Sequence, residues 1–136
     1  MPFPVEGKHI RATEEKLGVR FPLSYLARMQ SENGGEIRAS EETWQLHPFF
    51  DDSDKKRLIR TCNDIVRETM SERLLDWFPK DGVAIGDNGT GDKLVFRADS
   101  EKPGRLANKV FWWFHDSGEC KKVADDFNEL MELESK

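Results

Sequence analysis

His115-Asp116 is the pair in this chain whose residue types best suit acid–base chemistry, because a carboxylate beside an imidazole can orient it and stabilise its protonated form. Neighbouring residues on a strand point to opposite faces, however, and no serine or cysteine nucleophile motif accompanies the pair. His9 and His47 stand in unrelated contexts. The pair therefore reads as the end of a strand, with the Asp116 side chain capping the turn into a final helix. The second stretch of chemical interest is Gly86-Asp87-Asn88-Gly89-Thr90-Gly91-Asp92. As a phosphate cradle it lacks the Gly-Lys-Ser/Thr ending and lies between strands instead of opening a helix. As a calcium loop it has Asp87 and Asp92, but glycines occupy the third and fifth positions and no glutamate follows at the twelfth. What remains is an exposed, Asx-rich hairpin tip, the kind of place where partner contacts sit. The acidic run Asp51, Asp52 and Asp54 reads as helix cap and solvated surface, or as an electrostatic contact for a basic partner. No catalytic constellation assembles from these pieces.

The elements that must position these residues centre on Gly82 to His115. A short apolar run, Gly82-Val83-Ala84-Ile85, the glycine and Asx cluster, and the run Lys93 to Ala98 make a hairpin. Val110 to His115 adds a third strand, with Val110, Trp112 and Phe114 on one face and Phe111, Trp113 and His115 on the other. Both faces are apolar, which predicts a strand inside its sheet, covered on both sides. Of the two tryptophans, at least one must lie on the less obviously covered face, where it is either core or an anchor for a partner.

Before the hairpin, Glu6 to Leu17 and a segment opening at Phe21-Pro22 read as helices, stopped by Gly18 and by Asn33-Gly34-Gly35. Glu36 to Ala39 and Thr43 to Leu46 are short strands. Leu58, Ile59, Cys62, Ile65, Val66 and Thr69 share one face of a 3.6-residue period, predicting one helix buried against the sheet. Leu74, Leu75, Trp77 and Phe78 form an apolar clot before Pro79. Cys120, Val123, Ala124, Phe127, Leu130 and Met131 predict a last amphipathic helix. The order predicts a single α+β domain over 1–136, with a largely antiparallel sheet of about four to six strands packed with helices.

Composition agrees. The 136 residues are 37% hydrophobic and 35% charged, a soluble globular balance. A net charge of −5 argues against direct nucleic-acid binding and suits a basic partner. Two cysteines, Cys62 and Cys120, make neither a disulfide framework nor a zinc site. The first residues lack a signal-peptide pattern, and no apolar run approaches the ~20 residues that span a bilayer, so a cytoplasmic protein is expected.

Ile10, Glu14, Leu17-Gly18, Phe21-Pro22, Tyr25 and Asn33-Gly34-Gly35 resemble the N-terminal signature of the SUKH superfamily. Ile85-Gly86, Gly91-Asp92, the Trp112 to His115 strand end with Asp116, and Ala124 and Phe127 are similar to its C-terminal half. The resemblance covers most of 6–134; Phe21 stands where leucine is usual, and Leu46 to Asp81 matches only in character. It implies a cytoplasmic binding protein without a shared active site or cofactor. Its members include immunity proteins that neutralise sibling toxin domains, often nucleases, and fungal cell-wall assembly regulators. A module docking on an endogenous cellular protein is the alternative expectation, and an undetected hydrolase a weaker third. The candidate partner-binding residues are Asp51, Asp52, Asp54, Asp87, Asn88, Asp92, Trp113, His115 and Asp116.

Overall fold

The computed structural model describes residues 3–134. The chain opens with helices α1 (Gly7–Leu17) and α2 (Leu23–Ser31), followed by strands β1 (Gly35–Ala39) and β2 (Glu42–Leu46). Helices α3 (Lys55–Arg60) and α4 (Ile65–Glu72) come next, then β3 (Val83–Asp87), β4 (Lys93–Phe96), β5 (Val110–Trp113), β6 (Cys120–Ala124) and helix α5 (Phe127–Glu134). The six strands form one sheet in sequential order, every neighbour antiparallel, so the α+β class is observed.

The main core lies on one sheet face under α1, α2 and α5. Tyr25 is at its centre, its ring centroid 5.1 Å from those of Phe96 and Phe127 and 5.3 Å from that of Phe21. Two polar residues of the N-terminal half, Glu14 and Asn33, tie this layer together. The Glu14 carboxylate accepts the Phe21 backbone N–H at 2.9 Å, joining α1 to the start of α2. The buried Asn33 amide pairs with the backbone of Phe49 twice, at 2.7 and 2.9 Å, as a strand neighbour would.

The second face is covered by α4 and the turns that follow it. Phe78, Ala84, Val95 and Trp113 pack there, with Leu75, Phe111 and Cys120 beside them. Strand β5 therefore has apolar packing on both faces: Trp112 meets Trp44 edge-on at 5.1 Å in the main core, while Trp113 meets Phe78 at 4.9 Å in the second. Trp113 is fully buried, which corrects its reading as an anchor for a partner.

Two helices expected from periodicity differ. The stripe from Leu58 to Thr69 is not one helix. Asp64 interrupts it by accepting the Arg67 N–H and capping a new helix, as Asp54 caps the one before by accepting from Arg57. Leu58, Ile59 and Cys62 consequently face solvent, and only Ile65 and Thr69 are buried on α4. The second difference is at Cys120–Ala124, which is an edge strand. Phe111 pairs with Lys122 and Val110 with Ala124, so Val123 is an extra residue in a bulge. That extra residue breaks the alternation, so apolar positions at 120, 123 and 124 imitate a helical period. The exposed Lys121 and Lys122 then protect an open sheet edge. The last helix begins only at Phe127; Met131, assigned to its inward face, lies outside the described side chains.

Candidate functional site

The β3–β4 hairpin brings most of the chemically capable side chains together. Its tip is shaped by two Asx turns: Asp87 accepts the Gly89 N–H at 3.0 Å, and Asn88 accepts the Thr90 N–H at 3.1 Å. Gly91 has φ 106°, and a Cβ there would stand 3.1 Å from the His115 ring. A glycine at this position therefore allows both the turn and the approach of the histidine. Gly86 does something else: it lies within β3, where a Cβ would meet the Gln45 carbonyl at 3.0 Å, so it permits close pairing with β2 and not the turn itself.

Asp92 closes the loop. Its carboxylate accepts the Trp112 indole N–H at 2.9 Å, the His115 backbone N–H at 3.0 Å, and the His115 Nδ1. Asp116 stands 3.0 Å from His115 Nε2 on the other side, so the imidazole lies between two carboxylates. Asp116 thus turns back onto its neighbour and is not the helix cap expected, since the chain goes on into β6. The hydrogen bond to Asp92, helped by the charges of Asp116 and Asp92, raises the His115 pKa above its ordinary value. Burial pushes Asp92 upward, but its bonds from His115 and Trp112 outweigh that and hold it below the usual carboxylate range.

A second cluster, which the sequence reading did not assemble, lies under the hairpin. Lys93 is buried between β4 and α4, with Nζ 3.0 Å from Glu68 Oε1, 3.9 Å from Glu72 Oε1 and 3.2 Å from His47 Nε2. Glu68 and Glu72 are one helical turn apart on α4, which aims both at the same amine. Burial, and then the charge of Lys93, push the His47 pKa down to about 4, so at neutral pH its Nε2 is a lone-pair acceptor for the lysine. Burial raises the Glu72 pKa, against the pull of Lys93. The signal in the sequence was the register: Lys93 shares a strand face with Val95, which points inward.

The acidic run stands apart from the hairpin. Asp51 is buried, 3.3 Å from His9 Nε2 and 3.7 Å from Arg57 Nε, and its backbone N–H donates to Thr61 at 2.9 Å. It holds the segment leading into α3, so it does not face a partner. Asp54 is the α3 cap and pairs with Arg57, and Asp52 is exposed. Asp87 and Asn88 are half-buried, Asp92 likewise, and Asp116 is 88% exposed.

The His115 cluster can bind charge, but its geometry does not suit acid–base catalysis. Both ring nitrogens face carboxylates, leaving none directed at a substrate. Among the described residues no group of three or more His, Cys, Asp or Glu is placed to hold a metal ion, and no helix is long and apolar enough to cross a membrane.

The family model of SMI1 / KNR4 (SUKH-1) matches residues 4–133. The chain belongs to that family. A comparison with curated proteins finds none that matches. Family membership is consistent with toxin immunity or a related protein-binding role.

Proposed function

We propose that the chain is a protein-binding domain acting in the cytoplasm as an immunity protein, which neutralises a cognate bacterial toxin by direct contact. The observation that carries this reading is the family match over 4–133. The hairpin region supports it: exposed or half-exposed Asp87, Asn88, Asp92, His115 and Asp116 are held in place by bonds within the fold, which reduces the entropy lost when a partner is bound. Asp52 and Asp54 extend the negative surface on a separate segment. With a net charge of −5, this surface favours approach of a basic partner, and a nuclease domain is the toxin class that such a charge suits.

The test is co-expression of this chain with the products of adjacent reading frames, followed by co-purification at low and moderate salt. Rescue of cells from one toxic product, with that product retained on the purified chain, supports the reading. Rescue from none, with only housekeeping proteins retained, overturns it and points to a regulatory module.

A further inference from the structure

The sheet has two edges, and the chain treats them differently. At β6 the bulge at Val123 and the exposed Lys121 and Lys122 discourage another strand from adding. Strand β1 has none of these devices: it pairs with β2 in unbroken register and carries no proline or lysine. Ser40 and Glu41, with φ 52° and 65°, make a two-residue turn into β2, as in a type I′ hairpin. Ala39 and Glu42 are therefore a hydrogen-bonded pair, and so are Ile37 and Trp44. By the same alternation the backbone N–H and C=O of Glu36 and Arg38 point away from the sheet, and among the described residues no hydrogen bond reaches them. Helix α5 packs on the inward face of β1, where Phe127 and Leu130 share the core with Ile37 and Ala39. The outward side chains, Glu36 and Arg38, are exposed. Within the sheet they stand opposite the neutral Gln45 and Thr43, and among the described residues neither makes an ion pair; Arg38 has a 3.4 Å bond to the Thr43 hydroxyl. Arg57 and Arg60, which share a hollow with Glu36, lie over the Phe3 ring.

We infer that β1 is the contact strand of a homodimer, in which a second copy adds its own β1 antiparallel across a two-fold axis at Ile37 and joins the two sheets into one. The residues of the edge select this occupant. With Ile37 opposite the partner's Ile37, Glu36 faces the partner's Arg38 and Arg38 faces the partner's Glu36, while Gly35 faces the partner's Ala39. Glu36 and Arg38 are also the positions with outward backbone groups, so one register satisfies both the charges and the backbone. A slip by one residue sets those groups against residues that bond to β2. A slip by two sets Arg38 against the partner's Arg38, or Glu36 against the partner's Glu36. The same operation at β6 would bring its lysines together with those of the partner subunit. The inference goes beyond the immunity reading and does not depend on it.

Sedimentation of the full chain over about 1 μM to 1 mM tests it, with substitutions confined to the two exposed side chains. The wild type is expected to pass from monomer to dimer within this range. Arg38→Glu leaves two acids on the edge and Glu36→Arg leaves two bases, so each is expected to weaken dimerisation about tenfold or more. Mixed in equal amounts, the two variants recreate both charge pairs and are expected to associate with each other. The chain carrying both substitutions is expected to dimerise like the wild type. Unchanged circular dichroism confirms that each variant folds. A wild type that stays monomeric at the highest concentration overturns the inference and leaves the edge to an extended segment of another protein. A dimer indifferent to both single substitutions has its contact elsewhere and overturns it as well. So do single variants that weaken the dimer yet fail to associate when mixed.

Discussion

The Trp112 indole N–H donates to the Asp92 carboxylate at 2.9 Å, so the end of the hairpin loop and the following strand are held to each other across the register that pairs Lys93 with Trp113. The same carboxylate accepts the His115 backbone N–H at 3.0 Å. Replacing Asp92 by Ala leaves both donors, in a half-buried site, without their acceptor. The expected loss is roughly 2 kcal/mol, with a smaller loss for Asp92→Asn, which keeps one oxygen. Urea unfolding of the two variants, with the slope unchanged from the wild type, measures this.

His115 should titrate above the ordinary histidine range, because the Asp92 carboxylate bonds its protonated ring and Asp116 adds a second negative charge. The folded-state pKa is the raised one. The stabilisation from this pair is therefore complete below the unfolded value of about 6.5, provided Asp92 is ionised, and is lost as the pH rises through the folded-state pKa. Asp92 acts in the opposite sense, its contribution being lost as the pH falls through its lowered value. Proton NMR of the His115 ring follows the titration. Asp92→Asn should bring the His115 midpoint down; an unchanged midpoint would show that the carboxylate does not set it.

How much of this was legible in the sequence depends on whether a signal was local. The hairpin, β1, β2 and the first two helices followed from turn residues and short-range periodicity, and Phe127 was placed correctly as inward-facing. The failures share a cause: a helical period was read through a residue that interrupts it. Asp64 restarts a helix, and Val123 is a bulge, and neither is visible from apolar spacing alone. At the site, His115 and Asp116 were noticed as neighbours, but the more tightly bonded partner, Asp92, is 23 residues away and reaches the ring only because β4 and β5 pair. The cluster of His47, Glu68, Glu72 and Lys93 draws on β2, α4 and β4, so no spacing rule could assemble it.

That cluster makes the fold acid-sensitive. The His47 pKa is lowered to about 4, so between pH 6.5 and 4 the unfolded chain takes up a proton that the folded chain does not. Stability from this residue is complete above about pH 6.5 and falls as the pH drops to 4, by on the order of 3 kcal/mol. Glu72, whose pKa burial raises, offsets part of the loss as it becomes protonated. Denaturant melts at a series of pH values should show the decline in the wild type and a flatter profile in His47→Gln.

Lys93→Met tests which neighbour depresses His47. Burial remains in this variant while the ammonium charge 3.2 Å from Nε2 is removed, so the His47 midpoint should rise from about 4 toward, but not to, its ordinary value. The variant should also lose roughly 2 kcal/mol, less than for a fully enclosed ion pair, because Glu68 and Glu72 are partly exposed and can be rehydrated. A midpoint that stays near 4 would assign the whole depression to burial.

Tyr25 offers a stabilising change. Its ring is packed among Phe21, Phe49, Phe96 and Phe127, and its hydroxyl is buried with no hydrogen-bond partner among the described residues. Burial accordingly pushes its pKa far above the ordinary tyrosine value. Removing the oxygen keeps the aromatic contacts and eliminates a polar group that gave up its hydration without replacement, so Tyr25→Phe should gain roughly 1 kcal/mol. Thermal and urea unfolding of the variant measure it. A loss of stability of similar size would mean that the hydroxyl is hydrogen-bonded in solution.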